Sequence, residues 1–309
     1  MFLMTESYAI ARYELAADLL PPNWQRIALC VPDWQKEKVE ELRLRVGHPM
    51  TILVSGSEQR VGGEKQTVTV QDLAQLCDIV TGYSRYTATD TIAQGYLTAP
   101  GGFRIGLCGT GVIHKGECCN IRYFSSAVIR IAKEQIGISD PVLSQLMIDD
   151  RYQSTLIIAP PGAGKTTILR DLVRNLSNGM GEYRPHRVAL IDERSEIAGT
   201  YQGVPQLSIG CHTDVLDGIP KAMGIFMALR TLNPQVIALD EIAGQEDFHA
   251  IAQASNCGVK LLATIHGESL SELERKEIYS TLLRLQIFRF AVLITCEEER
   301  RTYHVEKLF

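Results

Sequence analysis

Residues 155–166 read Thr-Leu-Ile-Ile-Ala-Pro-Pro-Gly-Ala-Gly-Lys-Thr, and the architecture turns on this stretch. Leu156, Ile157 and Ile158 form a short apolar run of β type, and Thr167–Leu176 after the loop has helical character. Between them, Gly162 and Gly164 free the backbone to curl, so that successive N–H groups can face one point. A strand, such a loop and a helix N-terminus together make a phosphate cradle, because the helix dipole adds positive potential where the amides converge. A chance glycine-rich turn would lack that flanking strand and helix. The spacing places Pro160, Pro161, Gly162, Ala163, Gly164, Lys165, Thr166 and Thr167 in the cradle. Lys165 would reach the β- and γ-phosphates of ATP, and Thr166 would give its hydroxyl to Mg²⁺. Ala159 stands where the pattern usually has glycine, a small-for-small departure.

Such a loop needs an acidic partner. Val236-Ile-Ala-Leu-Asp-Glu-Ile242 supplies one: four apolar residues of a buried strand, then carboxylates at its C-terminal end, where open α/β sheets bind ligands. Asp240 would hold the Mg²⁺ shell, and Glu241 would orient or deprotonate the attacking water. Val188-Ala-Leu-Ile-Asp192-Glu193-Arg194 repeats the pattern, and Lys260-Leu-Leu-Ala-Thr264-Ile-His266-Gly267 ends in a hydroxyl and an imidazole. If these two strands flank the loop strand, all three ends converge on the γ-phosphate, and Thr264 and His266 would sense it. With Thr155–Ala159, the β-type runs Arg187–Ile191, Gln235–Leu239, Lys260–Ile265 and Ile287–Ile294 alternate with helical segments, which predicts a parallel α/β sheet covered on both faces. Ser139-Asp140-Pro141 reads as a capped helix start just inside this region, so the domain boundary is placed at 135/136.

Residues 1–135 read instead as a smaller α+β domain. Val39–Val46 alternates apolar and polar side chains up to Gly47-His-Pro49, and Thr51–Val54 is a second strand. Thr69 caps an expected helix with the apolar stripe Leu73, Leu76, Cys77 and Val80, ending at Gly82. A helix around Thr89–Tyr96 is expected to lead into a strand, Gly101–Gly109, whose glycines suit a bend or a close approach. Ala127–Ala132 is a further strand. Arg104, Arg122 and Arg130 in this half are candidates to meet charge on a transferring phosphoryl group. Sequence alone does not separate them from solvated arginines.

The balance of the 309 residues excludes other classes. Apolar residues make up 45% and charged residues 22%, so the chain is neither disordered nor fibrous. Net charge is −5, and residues 1–135 are neutral with 14 basic and 14 acidic side chains, which does not suggest a dedicated nucleic-acid binder. No apolar run approaches the roughly 20 residues needed to span a bilayer. The segment Met1–Ile10 carries Glu6 and no basic stretch, unlike a signal peptide. Eight scattered cysteines include no Cys-x-x-Cys, so reduced thiols in a cytoplasmic protein are expected rather than a zinc site.

Taken in order, Ala159–Thr166, Asp192–Glu196, Asp240–Glu241 and Thr264–His266 resemble the phosphate loop, "Asp box", acid-ended strand and "His box" of the type II and type IV secretion ATPase superfamily. Glu41-Leu-Arg-Leu-Arg-Val-Gly-His-Pro49, Gln94–Gly109 and Asp192-Glu-Arg-Ser-Glu-Ile-Ala-Gly199 are similar to a sporulation branch of that superfamily in endospore-forming bacteria, over about residues 35–275. The resemblance implies a P-loop, RecA-like fold and a hexameric ATPase in the mother cell. It would power a secretion-like channel into the forespore, docked peripherally on membrane channel proteins. It also implies a catalytic part for Glu193 and arginine contacts from Arg104 and Arg122. Secretion ATPases usually have Gly-Glu where this chain has Asp240-Glu241, so Glu193 and Glu241 compete for the water-activating role. The four-cysteine zinc module of some members is missing. A nucleotide-gated scaffold with little turnover and a nucleic-acid translocase are the alternatives. The guanine-reading Asn-Lys-x-Asp motif does not follow Asp240.

Overall fold

Helices and antiparallel strands build the N-terminal half, and alternating strands and helices the rest. The computed structural model describes residues 2–63, 66–82, 88–131, 133–297 and 300–309. The chain divides into two compact units, Met1–Lys133 and Glu134–Phe309.

In the first unit, helices α1 (Phe2–Ala17), α2 (Pro22–Leu29) and α3 (Asp33–Lys36) precede strands β1 (Val39–Arg45), β2 (Thr51–Val54) and β3 (Ser57–Arg60). Then come α4 (Val70–Val80), α5 (Thr89–Ala93), β4 (Tyr96–Ala99), β5 (Phe103–His114) and β6 (Glu117–Arg130). The strands form one antiparallel sheet in the order β3-β2-β1-β6-β5-β4. Leu42, Leu44, Ile105 and Ile129 of the sheet pack with Tyr13, Trp24, Leu73 and Leu76 of the helices. Thr69 caps α4 as its sequence predicts: its hydroxyl accepts from the Asp72 amide at 3.2 Å, and the Asp72 carboxylate accepts from the Thr69 amide at 2.7 Å.

Three expectations shift here. The helix predicted to reach Tyr96 stops at Ala93, because Gly95 takes a left-handed φ of 84° and Tyr96 pairs with Gly106 as a strand. The strand predicted from Gly101 begins at Phe103, since Gly101 and Gly102 make the turn at positive φ, and it runs on to His114. Its expected irregularity is a bulge at Gly109, where a Cβ would stand 2.7 Å from the Arg122 carbonyl oxygen. The run predicted as Ala127–Ala132 is the end of the longer β6, and Ala132 lies outside the described residues.

The second unit begins with α6 (Asp140–Leu143) and a two-stranded ribbon, β7 (Met147–Ile148) with β8 (Arg151–Tyr152). Next come β9 (Thr155–Ala159), α7 (Lys165–Asn178), β10 (Val188–Asp192), β11 (Thr213–Asp217) and α8 (Lys221–Thr231). They are followed by β12 (Val236–Leu239), α9 (Gln245–Asn256), β13 (Lys260–His266), α10 (Leu270–Arg275), α11 (Glu277–Arg284), β14 (Phe290–Glu297) and β15 (Arg300–Lys307). The sheet order is β11-β10-β12-β13-β9-β14-β15, parallel throughout except for the β14–β15 hairpin. Alternation along β9 divides the core. Ile157 and Ala159 face Ile168, Leu169 and Leu172 of α7, whereas Leu156 and Ile158 face the layer of Ile225, Phe248 and Ile251 from α8 and α9. The α/β sheet covered on both faces is therefore present, with a terminal antiparallel strand that the sequence reading did not anticipate.

Ser139 departs from its expected capping role. Its buried hydroxyl donates to Asp171 on α7 at 2.8 Å and accepts from Asn175 at 2.9 Å, and α6 is a single turn.

Candidate functional site

The loop between β9 and α7 sits at the C-terminal ends of the parallel strands. Gly162 and Gly164 hold φ of 75° and 97°, conformations that a side chain would strain. Helix α7 starts at Lys165, and no side chain caps Gly164 before it, so its first amides and its dipole are left to the loop. Pro161 and Gly162 are exposed on the loop surface, and Ala163 is buried beneath it.

Lys165 is 7% exposed. Its ammonium donates to the carbonyl oxygens of Ala159 at 2.9 Å and Pro160 at 3.0 Å, and approaches His266 Nδ1 at 2.8 Å. Burial lowers its pKa from the usual value, while Asp240 and Glu241 oppose that shift. Since the ammonium has only protons to offer, Nδ1 must accept, which puts the His266 proton on Nε2. That nitrogen lies 3.0 Å from Glu241 Oε1. Lys165, His266 and Glu241 thus stand in one line, joined by a hydrogen bond at Nδ1 and a close polar contact at Nε2.

Beside it lies a second set. Asp240 accepts from Thr264 Oγ1 at 2.6 Å and from the Glu241 amide at 3.0 Å through Oδ1, and its Oδ2 faces Thr166 Oγ1 at 3.4 Å. The Glu241 amide also reaches Thr264 Oγ1 at 2.8 Å. These bonds hold Glu241 at φ 32°, unusual for a side-chain-bearing residue, at the turn after β12. One hydroxyl and one carboxylate oxygen side by side suit a hard divalent cation such as Mg²⁺, which keeps several waters and takes its remaining oxygens from phosphates. Among the described residues no group of three or more His, Cys, Asp or Glu could hold a metal by itself. Among the described residues no two cysteines form a disulfide, and Cys77 is buried while the others are exposed.

The expected convergence of three strand ends holds for two. β13 flanks β9 and β12 flanks β13, but β10 lies beyond β12. The Asp192 carboxylate turns into its own loop, accepting from the amides of Glu196 at 2.9 Å, Ile197 at 3.0 Å and Ala198 at 2.8 Å. Burial raises its pKa to about 6, against the pull of those amides. Glu193 pairs with Lys221, the first residue of α8. It lines a cavity of about 330 Å³ with Asp192, Lys221, Asp240 and Glu241. Arg170 of α7, also buried, donates to the carbonyls of Ile197 at 2.5 Å and Glu196 at 2.7 Å, tying the phosphate-loop helix to the Asp192 turn. Neither Lys221 nor Arg170 belongs to a motif. Only their places in the first turn of a helix after Pro220 and in the second turn of α7 could have drawn notice.

In the first unit, Arg104 lies over the Tyr96 ring with 4.2 Å from Cζ to the centroid. Arg122 is exposed opposite Thr110 on β5, and Arg130 is 4.0 Å from Glu41.

The phosphate loop after β9, the acid-ended β12 and the His-ended β13 sit in a parallel α/β fold similar to that of solved motor ATPases. The DotB ATPase of Yersinia pseudotuberculosis superposes with a TM-score of 0.61 over 94% of this chain and 80% of that one, at 13% identity. The pilus retraction motor PilT, solved with bound ADP, superposes with 0.57 over 87% and 79%, at 14% identity. A family model described as "Sporulation stage III, protein AA" matches residues 17–306, and the chain belongs to that family. It is 36% identical over 260 residues to the Stage III sporulation protein AA of Bacillus subtilis (strain 168), covering 84% of this chain and 83% of that one. Among the described residues no helix is long and apolar enough to cross a membrane.

Proposed function

We propose that the chain is a Mg²⁺-dependent ATPase of the secretion-motor kind. As a ring of six copies, it would act from the cytoplasm through a membrane partner and energise a sporulation channel between mother cell and forespore. The observation that carries this reading is the line Lys165–His266–Glu241 beside the Thr166–Asp240 pair, at the strand ends where a phosphate loop opens. ATP-related names among the structural neighbours and the sporulation name of the family support it.

In this reading Lys165 holds the terminal phosphates, and Thr166 and Asp240 hold Mg²⁺, which neutralises developing phosphate charge when bound. Glu241 takes a proton from the attacking water, whose oxygen bonds to the γ-phosphorus as the bridging P–O bond breaks, leaving ADP and phosphate. His266 positions Glu241 and reports to it whether Lys165 is engaged. Glu193 is the rival base, and its ion pair with Lys221 favours Glu241 for the role. Arg104 and Arg122 supply positive charge to the site when copies assemble, so hydrolysis is slow in the monomer and rises in the ring.

The test is phosphate release by the full chain. Lys165→Ala abolishes it, and Glu241→Gln lowers kcat by about 100-fold or more, the usual worth of a general base. Glu193→Gln has a smaller effect. Full turnover in Lys165→Ala would overturn the ATPase reading. Nucleotide binding with no release in the wild type would leave a nucleotide-gated scaffold.

A further inference from the structure

Past β14 the chain returns as β15, and that return carries Arg301 to the phosphate loop. A Cβ built on Gly164 would meet this side chain at Nε (3.3 Å), Cζ (3.4 Å) and Cδ (3.6 Å). The guanidinium therefore stands in contact distance of the residue at the mouth of α7. Arg301 is exposed, and among the described residues no carboxylate or carbonyl pairs with it. A guanidinium against a positive helix end, with Lys165 next in the chain, is electrostatically unfavourable until an anion enters. The arrangement is one that an anion completes.

The sheet order says which part of the anion. His266 and Glu241 approach the loop from the β13 and β12 side of β9, whereas β14 and then β15 lie on the other side. If the terminal phosphate lies toward His266, Arg301 faces the phosphates nearer the nucleoside. A guanidinium suits that place, since its planar fork can bond two phosphate oxygens at once where an ammonium offers a point charge. We infer that Arg301 is a nucleotide-binding residue, holding the non-terminal phosphates of the nucleotide from the side of the loop opposite His266. This rests on the nucleotide-binding part of the proposed function and not on hydrolysis.

The experiment is equilibrium binding of Mg²⁺-ATP and Mg²⁺-ADP to the full chain, its Arg301→Ala and Arg301→Lys variants, and Lys165→Ala as reference. Thermal unfolding is followed in each. Arg301→Ala should melt like the wild type, because the side chain is exposed. It should weaken ATP and ADP by the same factor, about tenfold or more for a lost charge-assisted bond. Arg301→Lys should recover part of that loss. Unchanged ADP affinity in Arg301→Ala overturns the inference, as does a loss confined to ATP, which would put the contact on the terminal phosphate. If Lys165→Ala loses nucleotide while Arg301→Ala keeps it, the phosphate loop stands and the Arg301 role falls. A wild-type chain that binds neither nucleotide sinks both.

Discussion

Asp192 shows how far a residue's chemistry can be read from its neighbours. The strand end Asp192-Glu193 looks like Asp240-Glu241 in sequence, yet one aspartate is spent on three backbone amides and the other faces Thr166. The difference lies in the turn after each strand, which no periodicity records. Because burial raises the Asp192 pKa from 3.8 to about 6, the folded chain holds this proton where the unfolded chain has lost it. Stability from this group is therefore full below pH 3.8 and declines as pH rises to about 6, by about 1.4 kcal/mol per unit at most. Urea unfolding across that window should show a falling slope that is missing in Asp192→Asn. That variant should also be less stable near neutral pH, because an amide has one acceptor oxygen for three N–H groups. A slope of equal size in the variant would assign the effect elsewhere. Lys165, Thr166, Asp240, Glu241, Thr264 and His266 were legible as a set because each stands in a loop or strand end of recognisable pattern. Lys221, Arg170 and Arg301 were not, since their partners lie 28, 26–27 and well over 100 residues away.

At the scale of elements, α7 does more than present Lys165. Its buried Arg170 grips the carbonyls of Glu196 and Ile197, the residues whose amides hold Asp192. Arg170→Leu leaves those buried acceptors unpaired and should cost about 3 kcal/mol in unfolding free energy, with kcat falling further than the affinity for ADP. Loss of ADP binding in proportion to kcat would mean that the change merely disrupts the loop. In the first unit, Thr69→Ala removes the capping hydroxyl of α4 and should cost about 1 kcal/mol. The buried parallel strands were readable because both faces are covered, which makes them continuous apolar runs. β11 and β15 escaped notice for the opposite reason: Thr213-Asp-Val-Leu-Asp217 and Arg300-Arg-Thr-Tyr-His-Val-Glu-Lys307 are edge strands, carrying charges on an open side. Strand order escaped too, because it is set by packing between residues far apart in sequence. The two strands between β10 and β9 are the result.

For the molecule as a whole, the reading turns on assembly. Mass measurement with Mg²⁺ and a non-hydrolysable ATP analogue should show a species of about six chains that is depleted without nucleotide. Arg104→Ala and Arg122→Ala should lower the activity of that assembly without weakening nucleotide binding by the isolated chain. A chain that stays single under every condition while hydrolysing at full rate would exclude the ring. The sheet has an antiparallel strand at the β15 end and a parallel one, β11, at the other, so both edges end on polar strands that resist casual pairing. Ring contacts are therefore expected on helix and loop surfaces rather than by strand addition.

The grip of Ala159, Pro160 and His266 on the Lys165 ammonium has a consequence in time. In the proposed function a nucleotide cannot simply collide and stay, because it must first outcompete three protein acceptors for the same protons. Association should then proceed in two steps, encounter followed by a swing of the lysine. Stopped-flow traces would show an observed rate that levels off as nucleotide concentration rises, with His266→Ala raising the plateau.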